Sequence, residues 1–525
     1  MFPDPQEGGS TIWKQRKALP DVFALISAGR MTRQSFLFPA ILLCVAIFWS
    51  WHLSERGVYI HDEAHYLLGA NTLVEGALAV FKGEPVSEAA REIRRLGGTL
   101  YFTAKPGHVA LLAALGMATA GVQETPSLWL SLLAGLGVVA LVYRLLRDAS
   151  GGPPRAALLA ALFAGTSPIL MAASRSALGL TTSLFFALAA AWFMTDRFRS
   201  RSLIWAGAAG LCAFASFACH YNSIILLGAL MLGLVVRQDR QRWLIAMLVF
   251  VAAALVTQVI TWAAAGIIRG SYADFMTYFG ELRHAFSSNQ LDTGPTGDGV
   301  RGYGVEAWVF LGRSLLLGFA AAGPLALAAV APRYRLSRFV ICWAFIPLVF
   351  WALYPWKVER SFVAVAPGVC AAAGLAVDQI LRRYNRSRAI GLAMVAVLIL
   401  PGILLSSSHL RGDFSPFRKA TEEAAPRLIA MPPDSITLAS AGWRTLPQWK
   451  WYLGPALRRH EGKPVPAVAF DRKDRPGVIC TDNLTLSSLQ LGGENGFILL
   501  PHDVVARAVS RVGYAEIGVV SPEAP

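Results

Sequence analysis

Charged residues are scarce in this chain of 525 residues: Asp, Glu, Lys and Arg make up 15% of it, against about 25% in an ordinary soluble domain. Apolar residues account for 55%. Several apolar runs are long enough to cross a bilayer, such as "FLFPAILLCVAIFWSWHL" and "RWLIAMLVFVAAALVTQVITWAAAG". The composition excludes a soluble globular protein and predicts a polytopic α-helical membrane protein.

Cysteine is rare as well, with 6 in the whole chain. All but Cys480 fall in apolar segments. A lone thiol in a polar stretch cannot form an internal disulfide, so no disulfide framework is predicted. The chain also lacks a P-loop and a convincing dinucleotide fingerprint, which excludes the common nucleotide-binding folds.

The net charge of +15 comes from short basic clusters between the apolar runs. There is no basic domain with interleaved aromatic residues, so we expect no nucleic-acid partner. Under the positive-inside rule these clusters mark cytoplasmic loops. Basic residues also precede the first apolar run, and no convincing cleavage site follows it, so we interpret that run as a retained span.

Counting spans between the basic clusters predicts the topology. From Arg155 onward, each neighbouring pair of clusters encloses two apolar runs, which is one hairpin through the membrane. Between Arg33 and Arg144 there are three runs. The shortest, 106–121, is about 16 residues long, below the usual spanning length, and we interpret it as a helix in the outer interface. We therefore predict a cytoplasmic tail at 1–34 and about eleven spans within 35–408.

This count places three regions on the external side: the large first loop 54–125, the Gly-rich loop 266–305 and the C-terminal part 409–525. Short strand-like runs separated by turn signals predict a small soluble α/β domain in the C-terminal part. The runs are "SITLASAG", "PVPAVAF", "GVICTDN" and "GFILLP", followed by a helical pattern in "PHDVVARAVSRVG". The predicted location is the bacterial inner membrane, with a cytoplasmic N-terminus and a periplasmic C-terminal domain.

The stretch "GVYIHDEAHYLLGANTLVEG" carries an acidic pair, Asp62 and Glu63, just after the first span. One interpretation is structural, because carboxylates favour the first turn of a helix, where backbone N–H groups lack partners. The other is functional: a carboxylate here would serve as a general base or bind an acceptor. The local sequence leaves both open.

His61 and His65 flank the same pair and are similar to a helical zinc-protease signature. That signature needs Glu directly after the first His, where this chain has Asp62. A third protein ligand is also needed. The candidates for it are Glu281, His284 and His108. A metal site at His61 and His65 is thus a minor alternative, and no cofactor is firmly implied.

Four cationic residues stand at the predicted external ends of spans. Lys105 precedes Pro106, which suits the first turn of a helix, and the free N–H groups of a helix start favour a phosphate there. The alternative is a lysine that reaches to lipid head groups. The other cations are Arg175, Lys357 and Arg360, and an isolated charge at such a place is interfacial or functional.

The order of these segments resembles the GT-C superfamily of integral membrane glycosyltransferases, over about 35–407. The acidic pair with a following aromatic ("DEAHY") comes first, then Lys-Pro ("AKPGH"). A Ser-Arg turn before a Phe/Leu-rich span follows ("SRSALGLTTSLFFALAAAWF"), and an Arg-aromatic turn comes late ("ERSFVAVAP"). The nearest branch is glycosyltransferase family 39, with the protein O-mannosyltransferases and the lipid A aminoarabinose transferases.

The resemblance implies transfer of a sugar from a polyprenyl-phosphate carrier to a lipid, glycan or protein at the external face. Asp62 would be the base or would position the acceptor hydroxyl, with Glu63 as its neighbour. Lys105 and Arg360 would contact the carrier phosphate. The chain departs from the family pattern at Gly107, where the motif has a second Pro. It departs again at His65, where Arg is common in the lipid A branch, and at Phe362, where Tyr is frequent.

Further candidates complete the predicted site. Arg175 and Lys357 are additional phosphate contacts. Possible substrate contacts are Tyr66, His108, His220, Tyr221, Glu281 and His284. A single base without a covalent intermediate predicts inversion at the anomeric carbon. The alternatives are a lipid-linked oligosaccharide ligase or polymerase, and a transporter or lipid flippase, which would predict inverted repeats.

Overall fold

A computed structural model describes most of the membrane part of the chain. The described residues are 33–58, 61–84, 105–119, 121–234, 240–269, 299–301, 303–329, 337–354, 356–383, 388–412, 418, 451–452, 479–481 and 496–498. Glu281 and His284 lie outside these ranges, as does most of 409–525.

Helices dominate the described chain. They are α1 (Arg33–Ser50), α2 (Leu53–Arg56), α3 (His61–Phe81), α4 (Pro106–Ala118), α5 (Glu124–Asp148), α6 (Pro154–Gly165), α7 (Pro168–Ser174), α8 (Leu180–Phe193), α9 (Ser202–Cys219), α10 (Ser223–Leu234), α11 (Arg240–Arg269), α12 (Val305–Phe319), α13 (Ala322–Ala328), α14 (Arg338–Leu353), α15 (Ala366–Arg383) and α16 (Arg388–Gly412). Two short 3₁₀ helices cover Asp196–Arg201 and Glu359–Ala364.

Several helices can cross a bilayer. Among the described residues, 4 helical segments are long and apolar enough to cross a membrane: Phe36–Arg56, Glu124–Asp148, Arg240–Ile260 and Ala389–Ser407. There are up to 6 if each bent helix pair is one span; α6 and α7 meet at 61°, and α12 and α13 at 109°. Five shorter apolar helices accompany them. These helices confirm an integral helical membrane protein, whereas the count of eleven spans stays a prediction.

Helix α15 is the centre of the bundle. Every residue from Ala366 to Asp378 is buried, and the helix packs against α6, α13 and α14. A Cβ on Gly374 would lie 2.6 Å from the backbone oxygen of Ala156, so glycine is needed for this approach. Small residues at helix contacts are typical of membrane bundles.

Four short strands form two antiparallel pairs. β1 (Gly299–Arg301) pairs with β2 (Trp356–Val358), with Val300 opposite Lys357. β3 (Ile479–Thr481) pairs with β4 (Gly496–Ile498), within the predicted strands "GVICTDN" and "GFILLP". The other two predicted strands and the final helix lie outside the described residues, so the α/β domain stays a prediction.

Helix α4 begins at Pro106, directly after Lys105, as the sequence predicts. Its 13 residues are too few to cross a bilayer. The helix packs against α3, so these two helices of the first loop lie against each other. This contact brings Lys105 to the helix that carries the acidic pair.

Candidate active site

Helix α3 begins at His61, and Asp62 and Glu63 both lie in its first turn. The unpaired N–H groups and the positive end of the helix dipole favour carboxylates there. Successive residues on a helix point about 100° apart. The two carboxylates therefore face different surroundings, although they are neighbours in sequence.

Asp62 faces a partly open part of the site. Arg360 Nη1 donates to Asp62 Oδ2 at 2.7 Å. The Arg360 side chain is 33% exposed and that of Asp62 is 21% exposed. Arg360 comes from the 3₁₀ helix Glu359–Ala364, so the fold joins the early acidic motif to the late arginine motif.

Glu63 is fully buried and belongs to a different network. Arg56 Nη1 donates to Glu63 Oε1 at 2.8 Å, and the Ala177 N–H donates to the same oxygen at 2.9 Å. Arg56 is also buried. The carboxylate ties α2 and the turn after α7 to the start of α3. A buried charge pair persists only with such hydrogen bonding.

Two residues with positive φ angles, His52 and Gly57, flank the helix α2 that carries Arg56. Gly57 follows Arg56 with φ 66°, in a region that side chains other than glycine rarely adopt. His52 opens the turn at φ 51°, and its Nδ1 lies 2.8 Å from Glu55 Oε2. The short helix α2 lies between His52 and Gly57, and its last residue, Arg56, is buried.

Lys105 lies beside Asp62 and Arg360. It is 8% exposed, and its Nζ lies 4.6 Å from the centre of the Tyr66 ring, which gives a cation–π contact. Burial lowers the pKa of Lys105 to about 8; the Asp62 carboxylate acts in the opposite direction, and Arg360 lowers the pKa further. One carboxylate and two cations thus interact electrostatically in one site.

His108 contacts both Tyr66 and the turn after α7. Its Nε2 donates to the Ala177 oxygen at 2.8 Å, and its ring meets the Tyr66 ring edge-on at 5.7 Å. Gly179 has φ +73°, and a Cβ there would lie 2.6 Å from His108 Cγ. Glycine at 179 is therefore required for the turn and for the room that His108 occupies.

Arg175 contacts backbone oxygens. It is 1% exposed, and its Nη1 donates to the Trp49 oxygen and to the Trp51 oxygen, each at 2.7 Å. A cation at the C-terminal end of a helix satisfies free carbonyl groups and favours the helix dipole. These contacts favour a structural role for Arg175 at the end of α1.

A small cavity of about 40 Å³ lies beside Arg360. Its polar lining consists of Ser183, His220, Asn222, Ser223, Arg360 and Ser361; its apolar lining consists of Leu180, Leu184, Val363 and Ala364. Among the described residues, the buried Ser223 hydroxyl has no hydrogen-bond partner. The cavity therefore offers a hydroxyl and a guanidinium to a polar group.

His220 and Tyr221 form the turn between α9 and α10, with stacked rings 5.4 Å apart. Burial, and then the charges of Lys105 and Arg360, hold the pKa of His220 well below its ordinary value. The imidazole is therefore neutral at pH 7. Burial and the Asp62 carboxylate raise the pKa of Tyr221, which keeps the phenol protonated.

The remaining predicted residues are placed in part. Lys357 lies in β2, and His61 is the first residue of α3, but both side chains lie outside the described part of the structure. His65 is half-buried. Within the described ranges, no three His, Cys, Asp or Glu side chains are grouped to hold a metal.

Sequence analysis did not single out Arg56 or Ser223. Arg56 did carry a signal, because a basic residue directly after the first span, on the predicted external side, runs against the positive-inside rule. Ser223 carries none, since a serine at the start of an apolar helix is common.

Two sequence comparisons bear on this site. A family model described as dolichyl-phosphate-mannose-protein mannosyltransferase matches residues 104–263, which include Lys105, His108, Arg175 and His220. No curated protein matches the chain.

Comparison with solved structures extends the likeness to most of the chain. ArnT from Cupriavidus metallidurans matches with a TM-score of 0.55 and 16% identity, over 87% of this chain and 94% of ArnT. The same enzyme bound to undecaprenyl phosphate matches with a TM-score of 0.54 and 15% identity, over 88% of this chain and 97% of ArnT. The archaeal oligosaccharyltransferase AglB from Archaeoglobus fulgidus, in complex with an inhibitory peptide and a dolichol-phosphate, matches with a TM-score of 0.54 and 13% identity.

The AglB match covers 80% of this chain and 64% of AglB. At these identities the likeness concerns the fold. It confirms the fold that the sequence resemblance implies, that of the GT-C membrane transferases.

Proposed function

We propose that the protein is a glycosyltransferase that moves a sugar from a polyprenyl-phosphate carrier to an acceptor hydroxyl at the external face of the membrane. The observation that carries the proposal is the site of Asp62, Arg360 and Lys105, where one carboxylate meets two cations. That combination suits attack by a hydroxyl on a sugar whose leaving group is a phosphate.

Asp62 is the proposed base. It sits on the first turn of α3 and is 21% exposed, so an acceptor hydroxyl has access to it. One carboxylate that takes the proton while the carrier phosphate leaves from the opposite face gives a single displacement. The product then has the inverted configuration.

Arg360 and Lys105 are the proposed phosphate contacts. Both would stabilise the charge that develops on the leaving phosphate. Arg360 holds Asp62 at 2.7 Å, and a phosphate competes with this carboxylate for the same guanidinium. We therefore propose that donor binding draws Arg360 from Asp62 and leaves the carboxylate available to the acceptor.

The surrounding residues divide into donor contacts and supports. Ser223 and the neutral His220 line the cavity beside Arg360, and we propose that they contact the donor head group. Tyr66 and His108 hold Lys105 in place. Arg175 bonds backbone carbonyls, as described above, and we propose a supporting role for it instead of a phosphate contact.

The relatives support the carrier class. The family model concerns a dolichyl-phosphate-mannose-protein mannosyltransferase, and the solved relatives bind undecaprenyl phosphate or dolichol-phosphate. We extend the polyprenyl-phosphate carrier to this chain, with a lipid, glycan or protein as the acceptor. The transporter alternative gains no support from these matches, which are to transferases.

Deleting the gene tests the function in cells. The deletion strain should lose one sugar modification of its envelope lipids, glycans or proteins, measured by mass spectrometry. The wild-type gene should restore it, and an equally expressed Asp62→Asn variant should not. An unchanged envelope profile in the deletion strain would contradict the proposal.

The sidedness needs its own measurement. A periplasm-active reporter fused after Gly121 should be active, because the first loop is predicted to be external. A reporter after Asp148, at the other end of α5, is the matched control and should be inactive. Activity only after Asp148 would place the site on the cytoplasmic face.

A further inference from the structure

The C-terminal part of the chain contacts the segment that leads into the acidic pair. The Val58 N–H donates to the Tyr452 hydroxyl at 2.6 Å. The Tyr452 side chain also interacts with the carboxylate of Glu124. Trp451 Nε1 also donates to Glu124, with 2.6 Å to Oε1. Trp451 is 9% exposed, and its bond to Glu124 is partly buried.

A further contact lies close by. Arg418 Nη1 donates to the Ser54 oxygen at 2.9 Å. Arg418, Trp451 and Tyr452, here called the clasp, thus bond to both ends of the segment 54–58 and to Glu124. Glu124 is the first residue of α5, a helix long enough to span the bilayer. The clasp therefore connects the segment 54–58 to a fixed point in the bundle.

The segment 54–58 contacts the first turn of α3. Arg56 lies in its middle, and its guanidinium holds Glu63 at 2.8 Å. Glu63 is the neighbour of Asp62 on the first turn of the helix. A shift of the segment 54–58 would therefore strain the Arg56–Glu63 bond at the first turn of α3, next to Asp62.

We infer that the clasp is a positioning element for the Asp62 carboxylate, and that the C-terminal part of the chain sets the turnover rate through it. The inference rests on the proposed function of Asp62. The clasp residues act through Arg56 and Glu63. Displacement of a reacting group by about 1 Å can cost about 100-fold in rate, so hydrogen bonds that fix the segment affect catalysis.

The two ends of α5 supply a matched test. Trp451 donates to Glu124 at the first residue of the helix, and Trp192 Nε1 donates to Asp148 Oδ2 at the last, at 2.9 Å. Trp451→Phe and Trp192→Phe delete the same kind of indole–carboxylate bond from opposite ends. Tyr452→Phe removes only the hydroxyl, and Tyr143→Phe, which loses a bond from Arg147, is its control.

The purified full-length variants are assayed with a polyprenyl-phosphate sugar donor. Tyr452→Phe and Trp451→Phe should each lower kcat about tenfold, with the KM for the donor unchanged. The two controls should keep the wild-type kcat. A rise in donor KM at constant kcat, or equal losses in clasp and control variants, would overturn the inference.

Hydrogen–deuterium exchange provides a readout that does not depend on activity. In Tyr452→Phe, amides of residues 53–66 should exchange faster than in the wild type, and in Tyr143→Phe they should not. Unchanged exchange over 53–66 in Tyr452→Phe overturns the clasp. A wild-type protein that binds and transfers no sugar, with the exchange difference present, would refute the proposed function alone.

Discussion

Asp62 and Glu63 are neighbours in sequence, and each binds one arginine, but the two ion pairs differ in burial. The Asp62–Arg360 pair is 21% and 33% exposed, whereas the Glu63–Arg56 pair is 0% and 4% exposed. The proposed function requires the first pair to exchange partners with a substrate phosphate. The second is enclosed by protein and also accepts a backbone N–H.

The difference assigns separate roles to two chemically similar carboxylates. A partly exposed pair in a site with perturbed neighbours is typical of function. A fully enclosed pair is typical of a brace, because removal of either partner leaves a buried charge. The predictions below test whether the two pairs respond to mutation in these opposite ways.

Arg360→Ala should have a large effect on catalysis. Loss of one group that stabilises developing charge lowers kcat by about 100- to 1000-fold, and the thermal unfolding of the protein should stay near wild type. Steady-state sugar transfer from a polyprenyl-phosphate donor measures kcat, and a melting curve measures the thermal stability. Wild-type turnover would remove Arg360 from the phosphate site.

Glu63→Gln should destabilise the fold, whereas Arg360→Ala should not. The variant leaves Arg56 buried without its counter-charge, which costs about 3–5 kcal/mol of unfolding free energy. Denaturant unfolding in detergent measures it, and Asp62→Asn is the matched control at the neighbouring position. A stable Glu63→Gln protein would refute the brace.

Lys105 should give the activity a pH dependence on the alkaline side. Its pKa is lowered to about 8, and only the protonated form binds a phosphate well. The kcat/KM for the donor should therefore fall about tenfold for each pH unit above 8. The Lys105→Arg variant stays charged across this range, so a falling limb that persists in it would assign the titration to another group.

Gly179→Ala should have the smallest effect, about 1–2 kcal/mol for a side chain in a left-handed conformation, with added cost from the contact to His108. Gly207 in α9 is the control, because nothing lies within 4 Å of a Cβ added there. Gly207→Ala should leave the melting temperature unchanged or slightly raised. Equal melting temperatures for both variants would contradict the role of Gly179.

The helical membrane character and the start of α4 were predictable from local sequence. Apolar run length indicates spans directly, and Pro106 after Lys105 indicates a helix start. The first-turn position of Asp62 and Glu63 was also one of two stated alternatives. These features depend on residues that are close together in the chain.

The different surroundings of Asp62 and Glu63 were not predictable from the sequence. Glu63 meets Ala177, 114 positions away, and Val58 meets Tyr452, 394 positions away. No local pattern records such contacts, since they depend on how the helices pack. Arg175 shows the same point: its sequence position suits a phosphate contact, while its hydrogen bonds go to the end of α1.

The most direct measurement of the central claim is sugar transfer by purified Asp62→Asn, with donor binding measured on the same sample. The account predicts that the variant binds the polyprenyl-phosphate donor at least as tightly as the wild type, because Arg360 no longer has a competing carboxylate. It also predicts a loss of transfer of about 1000-fold. Transfer at the wild-type rate would contradict the account.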